Sequence, residues 1–198
     1  MKKVDIGLID TLILCGGKGT RLQTVIPDKP KILADIGGSP FIEYLLNYLE
    51  KEGIKRIILC SGYKHNQIKE WVRSSYHGEL DILFSREKKI MGTGGAIKNA
   101  EKFIKSDLFI VLNGDSYCKI DYQKFTQNHL RNNALITIVV SEIKDTSEYG
   151  SIFFNKDNKV FDFVEKQSID EENHINAGIY CIEKRGLNLM PSRESFSI

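Results

Sequence analysis

Three segments of the chain carry residue types suited to a phosphorylated ligand. The first, Cys15-Gly16-Gly17-Lys18-Gly19-Thr20-Arg21-Leu22, follows an apolar run. Its glycines let backbone N–H groups turn toward an anion with no Cβ in the way. Arg21 adds a planar guanidinium able to grip a phosphate through two parallel hydrogen bonds, which favours that reading over a plain tight turn. The loop is not a Rossmann fingerprint, because the third glycine would fall on Leu22, nor a Walker A loop, because Lys18 is followed by Gly19. The second segment, Met91-Gly92-Thr93-Gly94-Gly95-Ala96-Ile97, opens a helical pattern, so the free N–H groups of a helix N-terminus are expected to face the ligand; simple capping is the plainer alternative. The third, LFIVLNGDSY at 108–117, ends a buried strand in Asn113-Gly114-Asp115. A carboxylate there suits Mg²⁺, which takes one or two carboxylates together with substrate phosphates, although an Asx turn would also explain it.

Weaker signals accompany these. Pro27-Asp28-Lys29-Pro30-Lys31-Ile32 places two lysines in a proline-stiffened segment, which by itself reads as a solvated loop. Tyr149-Gly150, Phe163-Val164-Glu165-Lys166 and Asn176-Ala177-Gly178 each set a polar group at an expected strand boundary.

The elements that must position these residues are legible in the hydrophobic pattern. Apolar runs at 11–15, 56–60, 80–84, 108–112 and 135–140 read as buried strands. Between the first two, Ser39, Pro40 and Gly53 bracket an apolar face of Phe41, Ile42, Leu45, Leu46 and Leu49, which predicts a helix with N-cap serine, N1 proline and C′ glycine. Further helices are expected around 65–73, 94–105 and 121–131. Strand and helix alternate, the signature of an α/β fold whose mostly parallel sheet is covered on both faces and binds ligands beyond its C-terminal strand ends. After residue 140 strands at 151–154, 159–166 and 177–182 follow without a long helix, so an antiparallel or mixed extension of the same sheet is expected. Residues 1–10 are expected to form a loose lead, and 11–198 a single domain.

Composition excludes other classes. The 198 residues are 41% hydrophobic and 27% charged, which fits one ordered domain and rules out disorder. A net charge of +2 provides no broad cationic face for a nucleic acid backbone. No apolar run approaches a membrane span, and the start of the chain does not read as a signal peptide, so a cytoplasmic protein is expected. Cys15, Cys60, Cys118 and Cys181 form no C-x-x-C pair, and three of them lie in apolar runs as small core residues.

Taken in order, the G-G-x-G-T-R-L loop, the Pro30-Lys31 pair, Gly92-Thr93-Gly94-Gly95-Ala96, Asn113-Gly114-Asp115, Glu165-Lys166 and Asn176-Ala177-Gly178 resemble the sugar-1-phosphate nucleotidyltransferase family over residues 11–198. Pro40-Phe41-x-Glu43-Tyr44 and Met91-Gly92-Thr93-Gly94-Gly95-Ala96-Ile97 look most like its D-glycero-D-manno-heptose 1-phosphate guanylyltransferases. The resemblance implies a Rossmann-like, mixed central sheet with helices on both faces, and Mg²⁺-dependent attack of a sugar 1-phosphate on a nucleoside triphosphate, GTP expected, giving a nucleotide sugar. It implies no nucleic acid or membrane partner, and members often form homo-oligomers. By analogy Arg21, Lys31 and Asp115 would be catalytic, with Asp115 on Mg²⁺. Cys15, Gly16, Gly17, Gly19, Thr20, Glu87, Gly92, Thr93, Gly94, Asn113 and Gly114 would bind the nucleotide, and Gly150, Glu165, Lys166 and Asn176 the sugar phosphate. Two departures stand out: Ile32 replaces the second proline of P-K-P, and the chain is expected to lack the late D-x-G-[TV]-P-x-D-Y segment that commonly supplies another acid. Mannose 1-phosphate with GTP, other hexose phosphates with UTP, CTP or dTTP, a catalytically silent binder and a redox domain of similar fold are the competing readings.

Overall fold

The computed structural model describes residues 4–19, 28–143, 150–165, 174–191 and 195–198. Its parallel part comprises β1 (Asp10–Leu14), β4 (Arg56–Ser61), β5 (Asp81–Arg86) and β6 (Leu108–Asn113). A two-residue pair, β2 (Asp35–Ile36) and β3 (Ser39–Pro40), precedes α1 (Phe41–Lys51). The other helices are α2 (His65–Ser75), α3 (Gly92–Ala100) and α4 (Tyr122–Arg131). Four later strands, β7 (Ile136–Glu142), β8 (Gly150–Phe154), β9 (Val160–Glu165) and β10 (His174–Glu183), complete the sheet.

Strand order is β5-β4-β1-β6-β10-β8-β9, with β7 alongside β10. The first four strands are parallel, and β10 runs antiparallel to β6, β7 and β8, so the sheet is mixed as expected. The strand period of two divides the apolar runs between two cores. Ile13, Ile57, Leu59, Ile110 and Leu112 face α1 and Ile68 of α2. Leu12, Ile58, Cys60, Phe109 and Val111 face Ala96, Ile97 and Ala100 of α3. Helices therefore cover both faces, and the C-terminal ends of β1, β4 and β6 lie side by side, with Leu14 opposite both Cys60 and Asn113. No helix among the described residues is long and apolar enough to cross a membrane.

Four sequence expectations change. Ser39 is not the cap of α1: it pairs in β3, and Pro40, extended at φ −68° and ψ 145°, takes the cap position. The expected end holds, since Gly53 adopts φ +89° while Gly53 and Ile54 donate to the carbonyls of Glu50 and Leu49. The helix expected at 94–105 starts earlier, at Gly92, and gives way to a 3-10 turn at Glu101–Phe103. Strands β5 and β7 are only partly buried, because each has a sheet neighbour on one side alone. The lead is not loose over residues 4–10: Ile6 and Ile9 are buried in the core, and Asp10 already belongs to β1.

Asp10 explains that docking. Its buried carboxylate pairs with Arg56 and accepts from the Lys105 and Ser106 amides at 2.5 and 2.9 Å. Arg56 also reaches the Phe103 carbonyl at 3.1 Å and Asp81 at 3.3 Å, so one network ties β1, β4, β5 and the turn before β6. Burial raises the carboxyl's pKa, but the Ser106 and Lys105 amides and the Arg56 guanidinium outweigh it and hold the group below its ordinary value. A lowered carboxylate stabilises the fold above that ordinary value and ceases to do so as pH falls through the lowered one. Asp10→Asn is expected to cost about 3 kcal/mol near pH 7, the low end for a broken buried pair because Arg56 keeps its other acceptors. In urea titrations, the gap to the wild type should narrow below about pH 4.

Candidate active site

A cleft of about 1150 Å³ opens over the C-terminal ends of β1 and β6 and the first half of β10. It brings together Cys15, Gly16, Gly17 and Gly19 of the first loop, Lys31, Glu87, Gly92 and Thr93, Asn113, Gly114 and Asp115, and Asn176. A smaller cavity of about 670 Å³, beside Trp71 and Lys29, contains none of these residues.

At one end Lys31 Nζ lies 2.7 Å from Asp115 Oδ2, both side chains half-exposed. The lysine projects from a 3-10 turn, Lys31–Leu33, closed by Leu33 N–H to the Pro30 carbonyl at 2.8 Å and Ala34 N–H to that of Lys31 at 3.0 Å. Ile32 is buried and packs toward Gly114, so burial anchors the turn where a second proline is missing. The first loop passes under the lysine stem: a Cβ at Gly19, whose φ is +62°, would be 3.3 Å from Lys31 Cβ. Asp115 is presented by a tight turn in which Gly114 N–H donates to the Leu14 carbonyl at 2.8 Å. A solvent-screened pair of this kind stabilises the fold little, which leaves both charges available to a ligand.

At the other end Glu87 leans over the first loop. A Cβ at Gly16 would fall 2.1 Å from Glu87 Oε1, so a side chain there would displace the carboxylate from its present place. The Glu87 amide is fixed by the Ser61 carbonyl at 2.8 Å, and Tyr63 N–H holds the Gly16 carbonyl at 3.0 Å. Burial pushes the Glu87 carboxyl above its ordinary value, against the pull of a hydrogen bond from the Met91 amide. A desolvated acceptor pair beside a glycine loop suits a ligand edge carrying adjacent N–H donors.

The start of α3 differs from expectation. The N–H groups of Gly94 and Gly95 donate to the Phe196 carbonyl at 3.0 and 3.3 Å, so they do not point at the cleft. Gly94 lies under the Phe196 ring, and Gly92, Thr93 and Ala96 form the wall instead. On the β10 side, Asn176 is held by its amide on Tyr180 Oη at 2.6 Å and by Gly178 N–H on its Oδ1 at 2.8 Å. Gly178, at φ +74°, lets the strand bulge against Asn113, whose Nδ2 would be 2.6 Å from a Cβ there.

Gly150 pairs with Glu165 and sits beneath Phe163, and it does not line the cleft. Thr20, Arg21, Lys166 and the side chain of Glu165 lie outside the described residues. Sequence reasoning passed over Tyr117 and Cys118, which line the cleft after the N-G-D-S turn, and Phe196. Proximity to that turn was the available signal for the first two; Phe196 had none, standing in a polar stretch without periodicity.

Comparison with known proteins decides the family. Residues 10–193 match the nucleotidyl transferase family. The chain belongs to it. D-glycero-alpha-D-manno-heptose 1-phosphate guanylyltransferases of Campylobacter jejuni and Aneurinibacillus thermoaerophilus are 39% and 35% identical over 189 residues, covering 96% of this chain and 82% and 81% of theirs. The crystal structure of HddC from Yersinia pseudotuberculosis superposes with a TM-score of 0.87 at 39% identity, over 96% of this chain and 82% of that one. HddC complexed with GMP-PN matches at 0.86 and 40% identity. A putative glucose-1-phosphate thymidylyltransferase from Bacillus anthracis, 20% identical with a TM-score of 0.80, shares the fold.

Within this nucleotidyl transferase no group of three or more His, Cys, Asp or Glu side chains is assembled for a metal among the described residues. Asp115, a carboxylate lining the cleft, is the kind of oxygen donor that could hold Mg²⁺. Glu87 supplies a test of site against stability. A carboxyl raised by burial costs the fold stability above its ordinary value, and the cost vanishes in acid, where folded and unfolded chains are both protonated. Glu87→Gln is therefore expected to melt no lower than the wild type at pH 8, with any gain closing toward pH 4, while nucleotide affinity falls. Thermal melts across that pH range and nucleotide titration check both halves.

Proposed function

We propose that this nucleotidyl transferase joins GTP to D-glycero-alpha-D-manno-heptose 1-phosphate, giving GDP-heptose and pyrophosphate. The observation that carries the reading is the polarity of the cleft: a half-buried Glu87 at one end and the Lys31–Asp115 pair at the other, spanned by the Gly16–Gly17 loop. Guanine offers adjacent N1–H and N2–H donors to a carboxylate, and adenine does not. The relatives named for heptose 1-phosphate and GTP-type chemistry support the same choice.

In the reaction a sugar phosphate oxygen attacks the α-phosphorus, the bond from that phosphorus to the α,β-bridging oxygen breaks, and pyrophosphate leaves with the electron pair. The nucleophile is already an anion near neutral pH, so alignment and charge neutralisation replace a general base. Lys31 would place its ammonium against the phosphates, the backbone of Gly16 and Gly17 would cradle them, and Asn176 would orient the sugar phosphate from β10. Arg21, Thr20, Glu165 and Lys166 keep the roles that family resemblance assigns. Asp115 would hold Mg²⁺, which when bound spreads the negative charge of the triphosphate. With soluble charged substrates and a product used for surface glycans such as capsule or lipopolysaccharide, the cytoplasm is the proposed site of action.

The test is pyrophosphate release with Mg²⁺ across GTP, ATP, UTP, CTP and dTTP, each paired with the heptose phosphate or mannose 1-phosphate, with product masses confirmed. Turnover confined to GTP and the heptose phosphate is expected. Preference for mannose 1-phosphate or another base would change the substrate assignment, and binding without turnover would make the chain a silent homologue. Lys31→Ala and Asp115→Asn are each expected to lower kcat/KM by about 100-fold, roughly 3 kcal/mol of transition-state stabilisation.

A further inference from the structure

Phe196 belongs to no sequence motif, yet it holds the start of α3. Its carbonyl accepts from Gly94 and Gly95, its own N–H donates to the Met91 carbonyl at 3.0 Å, and Ile198 N–H donates to Thr93 Oγ1 at 3.0 Å. The ring is buried so closely over Gly94 that a methyl added there would lie 2.2 Å from Cε2. Gly92, at φ +69°, approaches the same main chain: a Cβ would be 2.4 Å from the Phe196 oxygen. The first N–H groups of a helix are its natural anion binders. Here those of Gly94 and Gly95 are occupied by protein, and Gly92 and Thr93 form the wall of the cleft.

Met91 connects that wall to the base end. Its carbonyl is held by Phe196, and Gly92 and Thr93, which follow it, line the same cleft as Glu87. We propose that Phe196 is a positioning residue for the nucleotide: its ring and carbonyl clamp the Met91–Gly95 segment, fixing Gly92 and Thr93 as a wall of the cleft that Glu87 also lines. Phe196 does not itself line the cleft, so its effect falls on nucleotide binding and not on the chemical step. This inference rests on the reading that the Glu87 end of the cleft takes the base.

Phe196→Ala and Phe196→Leu test it through two readouts on the full chain: amide exchange at Gly94 and Gly95 without substrate, and steady-state constants. Phe196→Ala is expected to speed exchange of both amides at least about tenfold while the rest of the sheet stays protected. It should raise KM for GTP about tenfold, leaving kcat and KM for the sugar phosphate within about twofold. Phe196→Leu, which keeps apolar bulk, should recover most of both. Gly94→Ala, whose methyl strikes the ring, should reproduce the alanine variant, and combining the two should cost little more than either alone. Unchanged exchange in Phe196→Ala, or a matching loss in kcat and in affinity for both substrates, would overturn the proposal. If no triphosphate is a substrate, the functional reading fails, while the exchange measurement still decides whether the clamp exists.

Discussion

The site depends on one close approach, where the Gly114 amide donates to the Leu14 carbonyl at 2.8 Å and a Cβ at Gly114 would come within 2.7 Å of that oxygen. This contact joins the strand ends of β1 and β6, and with them the glycine loop and the Asp115 turn. Ile32 packs into the space left above Gly114, which carries Lys31 to Asp115. The opposing charges meet because three backbone segments converge on a position without a side chain. The pair's own attraction, screened by water, is a minor contributor.

The two ends of the cleft follow different physics. At the Lys31–Asp115 end the charges are half-exposed, so a ligand can replace one partner with its own phosphate at little desolvation cost. At the Glu87 end the carboxylate is crowded against Gly16 and partly stripped of water, which raises its pKa and burdens the fold. Such a burden is expected where a side chain is kept for a ligand and not for stability. The α3 terminus, where Phe196 takes the Gly94 and Gly95 amides, adds shape to that end.

Much of the fold was legible because a three-layer α/β/α domain writes its core directly into the period of its apolar residues. The alternation Ile57, Leu59 against Ile58, Cys60 distributes each strand between the two helix layers, and Leu45, Leu46 and Leu49 mark the buried face of α1. Local rules failed where a distant partner competed. Ser39 would have capped α1, but the bond available to β2 drew it into a strand. The opening residues looked like a loose lead because Asp10 finds its partners near residues 56 and 105, far along the chain. Gly94 looked like an anion binder because its N–H was taken as free, and the group that occupies it lies about a hundred residues away.

By itself the sequence determined the alternating architecture, the family and the residues that can do chemistry, since apolar period, loop glycines and side-chain type are local properties of the chain. Tertiary structure alone decided which of those residues share the cleft. It set Lys31 on Asp115, turned the Gly94 amide onto the Phe196 carbonyl, set Gly150 under Phe163 and brought Phe196 onto α3. The physical reason is that a hydrogen-bonding group or a patch of space goes to whichever partner packing brings nearest, and packing is set by residues far apart in the chain.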